Sequence, residues 1–325
     1  MTTSETLRRI IDRAIFQAPI GSIAGPALAA AAANAGGVGH LACTWRTPEQ
    51  LRALFAEMHG LTGGPWGANF VLDFPIDDRL AVALDCGVPI VSFFWGDGGG
   101  HVGRVRAAGA LAVQVVGSLD EARRAADAGF DIVVAQGREA GGHVRGGMGS
   151  FTLVPQVVDA VAPLPVLAAG GIADRRGVAA ALALGAAGVW VGTRFLAAEE
   201  ANIHPHYQDR VLAASGEDTV YSELFDIGWP AAPLRSLRNA TIERWEAAGR
   251  PPPPHRPGEG ETVATRADGT AVPRYHFGSP TREVAGDIDA MALYAGEAAG
   301  LVRTRQPAAA IVADLAAGLR ARRPA

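Results

Sequence analysis

Two short stretches of the chain hold residue types that could do chemistry. In DIVVAQGREAGGHVRGGMG, residues 131–149, His143 stands in a run with glycine at 137, 141, 142, 146, 147 and 149. Such glycine density lets backbone approach a flat ligand closely, or lets a loop move over it. An imidazole titrates near neutral pH, so His143 on such a flexible rim can take a proton from carbon or hold one for an anionic intermediate. In PVLAAGGIADRRG and VWVGTRFLAAEE, Gly170, Gly171, Gly192 and Thr193 offer backbone amides with little side chain around them. Amides freed by glycine and backed by a helix N-terminus make an anion pocket suited to phosphate. Arg194 either adds charge there or forms an ordinary salt bridge. Asn69 and Gln136 carry amides that both donate and accept, as the polar edge of a flat heterocycle requires, although fixing a loop is the commoner use of such a residue.

These loops form one site only if the elements before them converge. From Phe16 onward, short β-rich apolar runs alternate with Ala-rich segments of helical period to about residue 214. The strand candidates are Phe16 to Ile20, Val38 to Cys43, Gly67 to Leu72, Pro89 to Trp95, Leu111 to Val116, Asp131 to Gln136, Pro165 to Ala169 and Gly188 to Phe195. The helices between them include TPEQLRALFAEMHG, SLDEARRAADAG and DRRGVAAALALG, each opening on a capping residue and closing on glycine. Eight alternations favour a closed α/β barrel of the (β/α)8 TIM type over an open doubly wound sheet, and no GxGxxG follows the first strand. In such a barrel the carboxyl ends of the strands carry the site. The reading divides the chain into a barrel, 1–214, and a C-terminal extension, 215–325. Within the extension, the Pro-rich 250–280 reads as a surface excursion. DIDAMALYAGEAAGLV and PAAAIVADLAAGLRAR read as helices packing back over the barrel.

Of the 325 residues, 49% are apolar and 19% charged, which supports a large core and argues against disorder. A formal charge of −4 without a basic stripe argues against nucleic acid. The charged start lacks the apolar stretch of a signal peptide, and no apolar run reaches membrane-spanning length, so a cytoplasmic, soluble protein is expected. Cys43 and Cys86 have no metal-like spacing and read as reduced core thiols. His204 and His206, in HPH, read as the start of the last barrel helix rather than a metal site, so no metal is expected. His40, His59, His101, His255 and His276 show no partner in sequence.

At the candidate loops the chain resembles the nitronate monooxygenase family, formerly 2-nitropropane dioxygenases. The matching stretches are ANAGGVG (33–39), GANFVLDFP (67–75), AQGREAGGHVRG (135–146), LAAGGIADRRGVAAALALGAAGVWVGTRFLAAEE (167–200) and YAGEAAGLV (294–302). The resemblance implies an FMN-dependent barrel in which Asn69 and Gln136 contact the flavin and Gly141 packs near it. It further implies that Gly171, with Trp190, Val191, Gly192 and Thr193, holds the ribityl phosphate, Gly142 and Gly170 completing the cofactor-binding set. His143 would be the base. A nitronate, or a nitroalkane first deprotonated by His143, would reduce FMN, and O2 would reoxidise it, giving a carbonyl compound and nitrite. The partners implied are a small-molecule substrate and O2, with a homodimer left open. One departure is VSFFWGDGGG at the fourth strand, which places Trp95 near the pocket, where core packing is its bland role; the Pro-rich segment is another. Similar loops occur in FMN-dependent enoyl reductases and NAD(P)H:quinone reductases, where reduced nicotinamide supplies the electrons. A barrel that binds without turnover is a third reading.

Overall fold

Residues 3–322 are described by the computed structural model. Side chains alternate between two apolar environments along eight parallel strands: β1 (Ile15–Gln17), β2 (Gly39–Ala42), β3 (Trp66–Val71), β4 (Ile90–Phe94), β5 (Leu111–Val116), β6 (Ile132–Gln136), β7 (Val166–Ala169) and β8 (Gly188–Val191). Their order is β1-β8-β7-β6-β5-β4-β3-β2. The ring closes between β1 and β2, where Gln17 N–H donates to the Val38 carbonyl (2.8 Å) and Val38 N–H to the Ile15 carbonyl (2.9 Å). Phe16, Ile90, Leu111, Val113, Ile132, Val134, Leu167 and Trp190 fill the interior, and helix Thr3–Ile11 lays Ile10 against them. The alternate residues, among them Ile15, Phe70, Phe93, Val133 and Val189, pack against the surrounding helices. Both faces are therefore apolar, as a parallel sheet covered by helices requires.

The three helix candidates form with the N-terminal caps their sequences supply, although Pro48–Leu61 runs through Gly60 to a Thr62 cap instead of closing on the glycine. Thr47 and Gln50 make a reciprocal capping box, Ser118 accepts from Glu121 N–H, and Asp174 accepts from Arg176 and Gly177 N–H.

The extension departs from its sequence reading in three places. Helix Ala308–Ala317 lies against Pro26–Asn34 and Arg175–Ala183, the helices following β1 and β7. It thereby fills the slot of the eighth barrel helix, so the chain between β8 and Ala308 is an insertion rather than a tail, and a boundary at 214 leaves a wall helix outside the barrel. The 287–302 segment, despite its helical apolar period, is not an α-helix. It carries 3-10 turns at Ile288–Ala290 and Glu297–Leu301 and a bridge from Tyr294 to Ser236. Backbone crowding at Gly296 and Gly300 favours the extended path. The Pro-rich segment is not merely a surface excursion. Its strands Thr262–Thr265 and Ala271–Pro273 pair, with Ala285–Gly286 on the other edge, and two of its arginines are paired: Arg256 with Asp226 (2.7 Å) and Glu259 (2.6 Å), Arg274 with Glu261 (3.0 Å). The described residues include no helix long and apolar enough to cross a membrane.

The place of the last helix can be tested through Ile311, which is fully buried. Ile311→Ala should lower the unfolding free energy by about 2–5 kcal/mol in urea titration, with the whole barrel melting in one transition. A separate early transition confined to the C-terminus would show an appendage instead.

Candidate active site

A cavity of about 770 Å³ opens over the carboxyl ends of the strands. The residues singled out from sequence, Asn69, Gln136, Gly141, Gly142, His143, Gly170, Gly171, Trp190, Gly192 and Thr193, all line it. Val191 does not. Strand parity turns its neighbour Trp190 inward and sends Val191 to the helix layer, while its carbonyl accepts from Ala18 N–H (2.8 Å).

His143 is not on a flexible rim. Gly142–His143 forms a short strand paired antiparallel with Leu234–Leu237, His143 opposite Leu234, and that strand pairs in turn with Thr219–Ser222. Its Nδ1 lies 3.1 Å from the Ala232 carbonyl oxygen. A carbonyl only accepts, so Nδ1 carries the proton and Nε2 keeps the lone pair. Burial pushes the imidazole down to about 4, against the Ala232 hydrogen bond, so the ring is neutral at pH 7 and Nε2 is free to act as a base. Tyr294 Oη stands 3.4 Å from Nε2 while donating to the Phe277 carbonyl (2.6 Å). With that proton committed, the phenol oxygen is placed to accept from Nε2 once the ring becomes protonated.

Aromatic rings enclose this base. Trp229 lies 3.8 Å from the imidazole, centroid to centroid, and its Nε1–H donates to Asp73 (2.9 Å). Trp95 packs edge-on to both rings, at 5.9 and 5.2 Å, with Arg145 over its outer face. It is buried and absent from the cavity wall, so packing is its role, at a positive φ of 64°.

Across the cavity, Gly170 and Gly171 adopt φ of +100° and +73°, a region that side chains disfavour, and a Cβ on Gly170 would stand 3.0 Å from the Gly137 carbonyl oxygen. Thr193 Oγ1 accepts from Gly296 N–H (3.0 Å) and so ties the end of β8 to the insertion. Asn69 Nδ2 donates to Ser92 Oγ (3.0 Å), and among the described residues its Oδ1 has no partner. Gln136 Nε2 donates to the His143 carbonyl (3.1 Å), bracing the loop that presents the base. Arg194 is buried outside the cavity wall, with Gln306 as its hydrogen-bond partner, and desolvation lowers its pKa; it is neither a surface ion pair nor a wall residue.

Sequence reasoning did not single out Trp229, Tyr294 or His276. His276 lines the cavity and is pushed down to about 4, chiefly by burial and then by Arg266. His40 lies in the barrel interior beneath Trp190, 4.3 Å between ring centroids, with both ring nitrogens unpartnered, and burial lowers it to about 3. His204 caps helix Pro205–Ala213, accepting from His206 N–H, and among the described residues no three His, Cys, Asp or Glu side chains gather as a metal site.

A closed parallel barrel with a glycine-lined cavity at its strand ends and a buried base beside it defines a (β/α)8-barrel enzyme. The chain belongs to the nitronate monooxygenase family, whose sequence model matches residues 4–77 and 73–318. It is 37% identical over 243 residues, 74% of this chain and 67% of the relative, to an octahydro-indene-carboxyl-CoA dehydrogenase of Mycobacterium tuberculosis. FabK of Thermotoga maritima superposes with a TM-score of 0.83 at 31% identity, over 98% of this chain and 96% of that one. A nitroalkane oxidase of Streptomyces ansochromogenes does so with 0.77 at 32%, over 95% and 96%. The protein is an oxidoreductase.

Three of the lowered histidines, His40, His143 and His276, make stability pH-dependent. Each is neutral in the fold where the unfolded chain, near pKa 6.5, takes up a proton. Their contribution is therefore present above pH 6.5 and lost as pH falls through 4 and, for His40, 3, at about 1.4 kcal/mol per pKa unit for a fully buried group. His40→Leu should flatten the acid limb of the urea midpoint against pH relative to the native chain. Parallel curves would show that His40 does not titrate with unfolding.

Proposed function

We propose that the protein is an FMN-dependent oxidase of carbon acids, converting alkyl nitronates, or nitroalkanes first deprotonated by His143, with O2 to a carbonyl compound and nitrite. The observation that carries this reading is His143, its Nδ1 committed to the Ala232 carbonyl and its basic Nε2 held among aromatic rings beside a glycine-lined cradle. The residues fit FMN. Gly170 and Gly171 leave a cradle that a Cβ would strain or fill, and the unpartnered Asn69 Oδ1 can accept from a ring N–H. Gly171, Gly192 and Thr193 would hold the phosphate, and Asn69 and Gln136 the ring edge. Bound there, FMN supplies a two-electron acceptor that O2 restores.

The chain's own groups do the rest. Nε2 takes the proton from the carbon bearing the nitro group, and Tyr294 Oη accepts a hydrogen bond from the resulting imidazolium. Ala232 holds the ring in the required tautomer. Trp229 and Trp95 keep water from it, so a neutral base is maintained until substrate arrives. In this reading the partners are a small organic substrate and O2, in the cytoplasm, without nucleic acid or membrane.

A second reading, a reductase taking electrons from NAD(P)H, draws support from the FabK likeness over nearly the whole chain and from the carboxyl-CoA dehydrogenase relative. Anaerobic mixing of the yellow protein with a nitronate, NADH or NADPH separates the two. Bleaching by the nitronate alone is expected, whereas rapid bleaching by a nicotinamide would establish the reductase. His143→Asn should cut turnover of neutral nitroalkanes by about 10²–10⁴-fold while sparing pre-ionised nitronates, and equal loss on both would remove the proton-transfer role.

A further inference from the structure

We infer that the cavity holds a separate anion subsite at its mouth, formed by Arg46 and Arg266, which selects substrates whose apolar chain ends in a carboxylate or phosphate. The inference rests on reading this cavity as a substrate site, and it names the class of molecule that fills its outer part.

The wall running outward from the base is aromatic. From His143 it passes to Trp229 (3.8 Å between centroids), from Trp229 to Trp45 (5.9 Å), and from Trp45 to Phe277 (5.3 Å). Trp45 is 43% exposed, so the path reaches solvent there. An apolar chain laid along these rings removes their faces from water without needing a polar partner.

The cavity wall carries two arginines, Arg46 next to Trp45 in the chain and Arg266 beside Gly278. Arg46 follows Trp45 and is half-buried. Its Nε donates to the Ala42 carbonyl (3.4 Å), and among the described residues its two terminal nitrogens have no partner. Arg266 comes from the hairpin of the insertion. It reaches Gly278, next to Phe277, closely enough that a Cβ there would lie 3.2 Å from one of its terminal nitrogens. Its guanidinium makes no hydrogen bond or ion pair among the described residues. Trp45, which precedes Arg46, and Phe277, which precedes Gly278, pack ring against ring, and both arginines line the same cavity.

The contrast with neighbouring arginines is informative. In the same insertion, Arg235 meets Glu297, Arg244 and Arg274 meet Glu261, and Arg256 meets Asp226. None of the wall's carboxylates pairs with either arginine: Glu139 is taken by Ser150 N–H and Oγ, Asp268 accepts from Thr270 N–H (2.9 Å), which with a lesser pull from Arg266 lowers its pKa, and Glu283 forms no ion pair with them. Arginine presents a planar fork suited to carboxylate and phosphate oxygens, and low-dielectric aromatic walls strengthen such a contact. The glycine cradle follows β7 and β8, whereas Arg46 follows β2 beyond β1, so the two anion sites are distinct.

Calorimetric titration of the protein as purified with decanoate, decyl phosphate and decanol tests this without any turnover, so its outcome is independent of which redox reaction the enzyme performs. At least one anion should bind about tenfold or more tightly than decanol, and the tighter of the two identifies the end group. The Arg46→Gln, Arg266→Gln double variant should lose that advantage while binding decanol unchanged. Equal binding of all three probes by the native protein, or an advantage that survives the double substitution, would overturn the subsite.

Discussion

The site depends on two backbones passing closer than side chains permit. A Cβ on Gly296 would stand 2.5 Å from the Glu139 carbonyl oxygen, and one on Gly141 would lie 2.5 Å from the Ala295 carbonyl carbon. Through this contact Glu297 N–H reaches the Glu139 carbonyl (3.0 Å) and Gly296 N–H reaches Thr193 Oγ1. One crossing thus fixes three things together: the loop after β6 that carries His143, the end of β8 that carries Thr193, and the segment that carries Tyr294. A side chain larger than hydrogen at either glycine would separate the base from the phenol and the base loop from the cradle.

Around that crossing, burial sets the electrostatics. The imidazoles of His40, His143 and His276 are all held neutral by desolvation, yet they differ in what satisfies them. His143 has a carbonyl on one nitrogen and a phenol near the other. His40, enclosed by Phe16 and Trp190, has neither, although Gln17 Oε1 takes its backbone N–H. An unpartnered ring in the barrel interior is costly, and it sits directly behind a residue of the cavity wall.

Much of the barrel was legible because its signals are local: period-two apolar runs, capping residues at Thr47, Ser118 and Asp174, and glycines closing helices. Strand ends were less so. The run through Phe195 breaks at Val191, because Thr193–Ala197 turns into a 3-10 helix. That His143, Gly170, Gly171, Gly192 and Thr193 gather around one cavity was readable from residue type and position after a strand. What failed was long-range. The helical period of 287–302 gave way to an extended path imposed by tertiary crowding. The charged, proline-rich segment looked solvated because nothing in sequence shows that Arg256 meets Asp226, thirty positions away. Trp229 and Tyr294 belong to no local pattern that points at His143; the pairing of Leu234 with His143 and the Ala232 hydrogen bond bring the Trp229 loop to the imidazole.

The insertion between β8 and the last barrel helix divides the labour of the site. Gly170, Gly171, Gly192 and Thr193 and the amides of Asn69 and Gln136 come from strand ends of the barrel, whose closed sheet leaves them little freedom. The wall facing outward, with Trp229, Arg266, His276 and Phe277, comes from the insertion. That insertion is held by arginine–carboxylate pairs and a small cluster around Phe225, Tyr275 and Ile242, and its Val263, Val284, Leu293 and Val302 join the main core. Substitutions in its outer wall can reshape the cavity while leaving the glycines after β7 and β8 in place, since the loop bearing His143 meets the insertion through backbone contacts at Gly141, Gly296 and the short strand. A barrel organised this way can keep one cofactor chemistry while the insertion determines which molecule reaches it.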